Sequence, residues 1–111
     1  MPSNAPAADE PAPEHLAGLA TWYCLPGRSA CSSGFPASGM YAAAGPALRR
    51  ALGPRWRSAR VTVTAGARSV VVRLADWCAC PGGRVLDLYG SAFSRLAPLS
   101  RGVVRVTVQL P

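Results

Sequence analysis

Short runs of alternating or β-branched apolar residues follow one another along the chain, separated by turn residues. The clearest pair is 60–64 and 69–74, which flank a loop containing Gly66 and so predict a β-hairpin. The same pattern predicts four further strands, over 18–24, 40–44, 84–88 and 102–110. The chain is therefore expected to be mainly β.

Two short segments have helical character instead. Pro46 stands at a favourable first helical position and Gly53 at the end, so 46–53 predicts a helix of two turns. Ser91 is suited to cap a second helix over 91–96, where apolar residues recur at helical spacing. Six short strands, two short helices and closely spaced turns are typical of a small closed β-barrel.

The first fifteen residues differ from the rest of the chain. They are rich in Pro, Ala and acidic residues and lack apolar periodicity, so we expect 1–15 to form a flexible leader and 16–111 one barrel domain. His15 closes the leader as a solvated residue. The segment has neither the basic start nor the apolar stretch of a signal peptide, so none is predicted. No apolar run in the sequence approaches the roughly 20 residues of a membrane span.

Composition and charge narrow the class of partner. Half of the 111 residues are hydrophobic and 15% are charged, which excludes a wholly disordered protein. The sequence has twelve Arg and no Lys, and all twelve lie in the segment 16–111. The same segment contains only two acidic residues, Asp76 and Asp87. Such a domain attracts polyanions: nucleic acid, anionic lipid or acidic wall polymers. Five arginines lie between residues 49 and 60, but no nucleic-acid-binding motif accompanies them, which disfavours nucleic acid.

Four cysteines, Cys24, Cys31, Cys78 and Cys80, suggest two disulfides in an extracytoplasmic or secreted protein. A bond between Cys78 and Cys80 would close a strained ring, so we expect the first two cysteines to pair with the second two. A zinc site with four thiolates is a second interpretation, although the cysteine spacing departs from that of the usual zinc motifs. Four free thiols are a third interpretation. We favour two disulfides and expect no metal or cofactor.

Four segments resemble, in order and spacing, the double-psi β-barrel domains of rare-lipoprotein-A-like proteins, barwin and expansins. These segments are 20–23, 70–76, 84–96 and 102–108. The resemblance covers residues 18–109 and implies a six-stranded double-psi β-barrel with a groove on one face. In expansins the groove floor carries a Thr, a Tyr and two aspartates, which correspond here to Thr21, Tyr23, Asp76 and Asp87.

The resemblance also implies a monomer that binds cell-wall glycan, either peptidoglycan or another anionic polysaccharide. Asp76 and Asp87 are then the candidate catalytic residues, and Trp77 and Tyr89 join Thr21 and Tyr23 as candidate sugar contacts, because aromatic rings stack on sugars. Strand alternation places Trp22 and Tyr23 on opposite faces, so one of them belongs to the core.

Cleavage of a glycan requires further acidic or histidine side chains, and this chain lacks them at the positions where the resembling enzymes carry them. The loop 32–40 has no acid and the alanine stretch 42–44 has no His, where rare-lipoprotein-A-like enzymes carry a Glu and a His. Val85 stands where expansins have a His, and Cys24 and Leu25 where related endoglucanases have their base. We therefore expect expansin-like binding without hydrolysis. A lytic transglycosylase with one Asp as general acid and a structural or inhibitory barwin-like module are the alternatives.

Overall fold

The computed structural model describes residues 15–31 and 34–111, so the predicted leader lies outside these residues except for His15. Within them the strands are β1 His15–Tyr23, β2 Tyr41–Ala44, β3 Arg60–Ala65, β4 Arg68–Trp77, β5 Arg84–Tyr89 and β6 Val103–Gln109. The helices are α1 Pro46–Leu52 and α2 Gly90–Phe93, and 3-10 turns cover Gly53–Arg55 and Leu99–Arg101. Among the described residues, neither helix has the length and hydropathy that crossing a membrane requires.

The six strands close into a barrel in the order β1-β5-β2-β4-β3-β6. β1 runs parallel to β5, and β2 runs parallel to β4, while the remaining neighbours are antiparallel. Closure gives every strand a hydrogen-bonded neighbour on both sides, so the described barrel has no edge strand. The closed barrel and the two short helices confirm the predicted fold class.

The barrel interior is filled by the apolar residues that alternate along each strand. Val61 and Val63 of β3 and Val106 and Val108 of β6 are almost completely buried, whereas the residues between them are more exposed. Trp22 packs against this core, and its indole N–H donates to the Leu99 carbonyl oxygen at 2.9 Å. Tyr23 therefore lies on the outer face, which confirms the predicted division between these two aromatic residues.

The strand bounds differ from the prediction where a neighbour extends a weak segment. β1 begins at His15 because β6 pairs with it continuously from His15 to Thr21, although residues 15–18 have little β character of their own. β4 continues beyond Leu74 to Trp77 through a register shift against β2. Helix α2 is shorter than expected and ends at Phe93, which is fully buried.

Gly18 marks a close approach between β1 and the start of β5. The Leu19 amide, next in the chain, donates to the Gly83 carbonyl oxygen at 3.0 Å. A Cβ atom on Gly18 would lie 2.6 Å from Val85 Cγ1 and 2.9 Å from the Gly83 oxygen. Because one of these neighbours is backbone, the site has little freedom to adjust.

We expect Gly18→Ala to lower the free energy of unfolding by roughly 1–3 kcal/mol, the usual range for overpacking a tight site. Urea denaturation of the wild type and the variant measures this difference. Gly27→Ala is the matched control, because a Cβ there would meet no atom within 4 Å. Equal losses of stability in the two variants would contradict the assignment of Gly18 as a packing constraint.

Candidate functional site

Four residues from four neighbouring strands form a row on the outer face of the barrel. Thr21 of β1 pairs with Asp87 of β5, Asp87 pairs with Ala43 of β2, and Ala43 pairs with Asp76 of β4. Residues that pair across a sheet point to the same face. The two aspartates therefore flank Ala43, whose neighbours Ala42 and Ala44 belong to the core. We call this the polar row: Thr21, Asp87, Ala43 and Asp76.

Asp87 is the carboxylate of the polar row that accepts a hydrogen bond from another side chain of the row. The Thr21 hydroxyl donates to Asp87 Oδ1 at 2.9 Å, and Arg84 Nη1 donates to Thr21 Oγ1 at 3.1 Å. Burial raises the pKa of Asp87 above its ordinary value, while the Thr21 hydrogen bond and the Arg84 charge act against this rise. A carboxyl group with a raised pKa retains a proton more readily and is suited to act as a general acid.

Asp76 ends the polar row beside an exposed aromatic ring. Its Oδ1 accepts a hydrogen bond from the Trp77 amide at 2.9 Å. The Trp77 side chain is 58% exposed, and the Arg49 guanidinium lies 5.6 Å from its ring centre. Arg49 is itself fixed, since Nη1 donates to the Cys78 carbonyl oxygen at 3.0 Å. Trp77 thus offers a large, accessible ring next to Asp76, and its role as a sugar contact stays a prediction.

The Tyr23 hydroxyl lies close enough to both aspartates for their negative charges to affect its pKa. Burial and then the negative charge of Asp76 raise the pKa of Tyr23 far above its ordinary value, with Tyr89 and Asp87 adding to the effect. The phenol therefore stays protonated. Among the residues that the structure describes, the buried Tyr23 hydroxyl has a hydrogen-bonding interaction with the Asp76 carboxylate, but at a geometry outside that of an ordinary hydrogen bond. A buried donor with a poorly aligned partner costs free energy, which a better placed ligand acceptor would recover.

A second row of aromatic rings runs beside the polar row. Tyr23 pairs with Tyr89, and the ring centres lie 5.2 Å apart at right angles. Tyr41 lies 5.4 Å from Tyr89, and Phe35 stacks on Tyr41 at 4.5 Å. Tyr89 is fully buried, so the prediction that it contacts sugar is corrected: its ring supports Tyr23 and Tyr41 from within.

Sequence reasoning missed Tyr41, Phe35 and Arg84 as parts of this face. Alternation from Ala43 would have placed Tyr41 on the outer face. No local signal indicates Arg84, whose contact with Thr21 joins residues 63 positions apart. Phe35 belongs to the loop before β2, where strand periodicity does not apply.

The four cysteines form two disulfides, Cys24–Cys31 and Cys78–Cys80, so the expected cross-pairing is wrong. The reason is local: Cys80 adopts a φ of +42°, and the turning backbone leaves the two Cα atoms 5.1 Å apart, within the ordinary range for a disulfide. The zinc and free-thiol interpretations are also excluded, because in the described part of the chain every cysteine is paired. The first disulfide closes a loop whose residues 25–30 are all exposed.

Residues 15–108 match the double-psi β-barrel family model that is described as lytic transglycolase. A papain inhibitor from Streptomyces mobaraensis is 33% identical over 103 residues, which cover 88% of this chain and 72% of the inhibitor. The solved structure of a Streptomyces papain inhibitor superposes with a TM-score of 0.65 at 29% identity. It covers 91% of this chain and 97% of the inhibitor chain.

An expansin from Clavibacter michiganensis is a second structural neighbour. Its ligand-free structure superposes with a TM-score of 0.67 at 28% identity, over 87% of this chain. A variant of the Clavibacter michiganensis expansin in complex with cellohexaose gives the same TM-score at 25% identity. The match covers 50% of the expansin chain, so this chain corresponds to half of that protein.

The raised pKa of Asp87 predicts a pH-dependent cost to stability. A carboxyl group whose pKa is higher in the folded state stabilises the fold below its unfolded pKa, and this contribution is lost as pH rises through the folded value. We therefore expect Asp87→Asn to be more stable than the wild type at neutral pH. The difference should disappear below the ordinary pKa of aspartate. Urea unfolding across this pH range measures it.

Thr21→Val provides a control with the carboxylate retained. Because the Thr21 hydrogen bond lowers the pKa of Asp87, its loss should raise that pKa further in the folded protein. The stability of Thr21→Val should therefore continue to change at higher pH than that of the wild type. Parallel pH profiles for the wild type, Asp87→Asn and Thr21→Val would contradict this account.

Proposed function

The chain belongs to the double-psi β-barrel family described as lytic transglycolase, and on this premise we propose that it binds cell-wall polysaccharide without cleaving it. The ligand lies along the polar row and Tyr23, with peptidoglycan as the expected polymer. The observation that carries the proposal is the buried Tyr23 hydroxyl, which interacts with Asp76 only at poor hydrogen-bond geometry among the described residues and lies within the electrostatic influence of both carboxylates. The two disulfides support an extracytoplasmic location.

The site offers what sugar recognition needs. Sugar hydroxyls both donate and accept, so Tyr23 supplies a donor while Asp76 and Asp87 supply acceptors. Trp77 adds an exposed ring for stacking against a pyranose face. The expansin that was solved in complex with cellohexaose contains a similar barrel in half of its chain, which supports a linear glycan as the ligand class.

The absence of hydrolysis follows from the proton-transfer groups. The described residues contain only two carboxylate side chains, Asp76 and Asp87, and the positions at which relatives were expected to carry His hold Ala44 and Val85, both buried. Cys24, near the expected position of a base, is tied in a disulfide. Asp87 has the raised pKa of an acid, so Asp76 is the one described carboxylate left to act as base, and its Oδ1 already accepts a hydrogen bond from the Trp77 amide.

We expect the protein to sediment with insoluble peptidoglycan and to release no soluble muropeptides. Trp77→Ala should weaken binding by about fivefold, because stacking contributes about 1 kcal/mol, whereas Trp77→Phe retains a ring and most of the affinity. Sedimentation at graded wall concentrations gives the affinities, and chromatography of the supernatant detects release. Release that Asp87→Asn abolishes would establish a lytic transglycosylase instead.

We propose proteinase inhibition as a second candidate function. The papain inhibitor structure aligns over 97% of its length, so its whole chain corresponds to this barrel. The Cys24–Cys31 disulfide holds an exposed loop in which Leu25 is 56% exposed, and a cavity of about 390 Å³ lined by Tyr23, Arg28 and Ala30 adjoins it. A constrained loop with an exposed apolar residue suits docking to a proteinase cleft, because little entropy is lost on binding.

If this loop inhibits, Leu25→Asp should raise the inhibition constant for papain by at least about tenfold, since it places a charge at an apolar contact. Val103→Asp is the matched control, because Val103 is another exposed apolar residue, 43% exposed, outside the loop. Hydrolysis of a chromogenic peptide by papain provides the measurement. Equal inhibition by the wild type and both variants would exclude the loop, and no inhibition by the wild type would exclude the function.

A further inference from the structure

Two arginines continue the aromatic row on the outer face of the barrel. Arg73 of β4 pairs with Tyr41 of β2 on one side and with Arg60 of β3 on the other. The row that begins at Tyr23 and Tyr89 therefore passes through Tyr41 to the two arginines. There a cavity of about 320 Å³ opens, lined by both arginines together with Tyr41, Met40 and Val71.

The charges of this cavity are uncompensated. Like charges directly opposite each other on neighbouring strands destabilise a sheet. Neither the Arg60 nor the Arg73 guanidinium has a hydrogen bond or ion pair within the part of the chain that the structure describes. The two described carboxylates have other roles, since Asp87 accepts from Thr21 and Asp76 from the Trp77 amide. An anion bound between the arginines would remove this repulsion.

We propose that the Arg60–Arg73 cavity is a subsite for an anionic group, a carboxylate or a phosphate, carried by the polysaccharide in the groove. The inference rests on the proposed glycan-binding function and adds the ligand's charge to it. Guanidinium groups present planar donor pairs that match the oxygens of both anions. Tyr41 joins the cavity to the groove, so one bound chain contacts both regions.

The sheet geometry sets the scale of the ligand. Arg73 of the cavity and Asp76 of the polar row lie on the same strand, β4, three residues apart. At about 3.3 Å for each residue, they are separated by roughly 10 Å along the strand. An oligosaccharide spans this distance, whereas a free monosaccharide does not. The subsite therefore selects acidic polymers over neutral ones rather than capturing a small anion alone.

Titration calorimetry at low salt tests the proposal with three probes: cellohexaose, hexagalacturonate and poly(glycerol phosphate). We expect the wild type to bind one of the charged polymers about tenfold more tightly than cellohexaose. The charged polymer that binds more tightly identifies the anion as carboxylate or phosphate. In Arg60→Gln/Arg73→Gln the ratio of affinities for that polymer and cellohexaose should fall from about ten to about one.

Arg50→Gln/Arg95→Gln is the matched control, because it removes the same charge from two exposed positions outside the cavity. It should retain the preference of the wild type. An equal loss in both double variants would overturn the subsite and attribute the preference to net charge. Thermal unfolding of each variant verifies that the barrel is intact.

The outcomes separate this inference from the proposed function. Binding of cellohexaose with no preference for either charged polymer overturns the subsite and leaves the groove standing. Binding of a charged polymer that depends on Arg60 and Arg73, without cellohexaose binding, supports the subsite and contradicts a groove that recognises neutral sugar. Binding of none of the three probes overturns the subsite, and a failure to sediment with peptidoglycan as well overturns the groove.

Discussion

The site depends on the position of one short strand. β2 lies between β4 and β5, and Ala43 on it pairs with Asp76 on one side and Asp87 on the other. Parallel pairing with β4 and antiparallel pairing with β5 are both needed to align these acids, which are eleven residues apart in the sequence. A shift of β2 by one residue would turn Ala43 inward and separate the carboxylates with a core residue. Barrel closure, by fixing the register, also fixes the chemistry.

The outer face carries several arrangements that do not favour folding. Asp87 is half-buried with a raised pKa, and the buried Tyr23 hydroxyl interacts with Asp76 at poor hydrogen-bond geometry. Arg60 and Arg73 meet as like charges. The continuous apolar interior offsets these costs, since its largest side chains, including Phe93 and Leu48, are fully buried. Local arrangements that oppose stability on an otherwise consistent fold are typical of a binding site.

The sequence was sufficient for the strands, because alternation reports which face a residue occupies. It placed Trp22 and Tyr23 on opposite faces, and the family resemblance proposed Thr21, Tyr23 and both aspartates as groove residues. It failed for Tyr89, because alternation gives the face but not whether neighbouring rings cover it. It failed for the cysteine pairs because spacing does not reveal the left-handed turn at Cys80. The Arg60–Arg73 cavity depends on strand register, which a single sequence does not specify.

The two disulfides lie outside the six strands, one directly after Tyr23 and the other directly after Trp77. Oxidation therefore constrains the rims of the groove without cross-linking any strand of the barrel. Reduction of both bonds would release the segments that follow Tyr23 and Trp77, while the pairing of the six strands would lose no covalent cross-link.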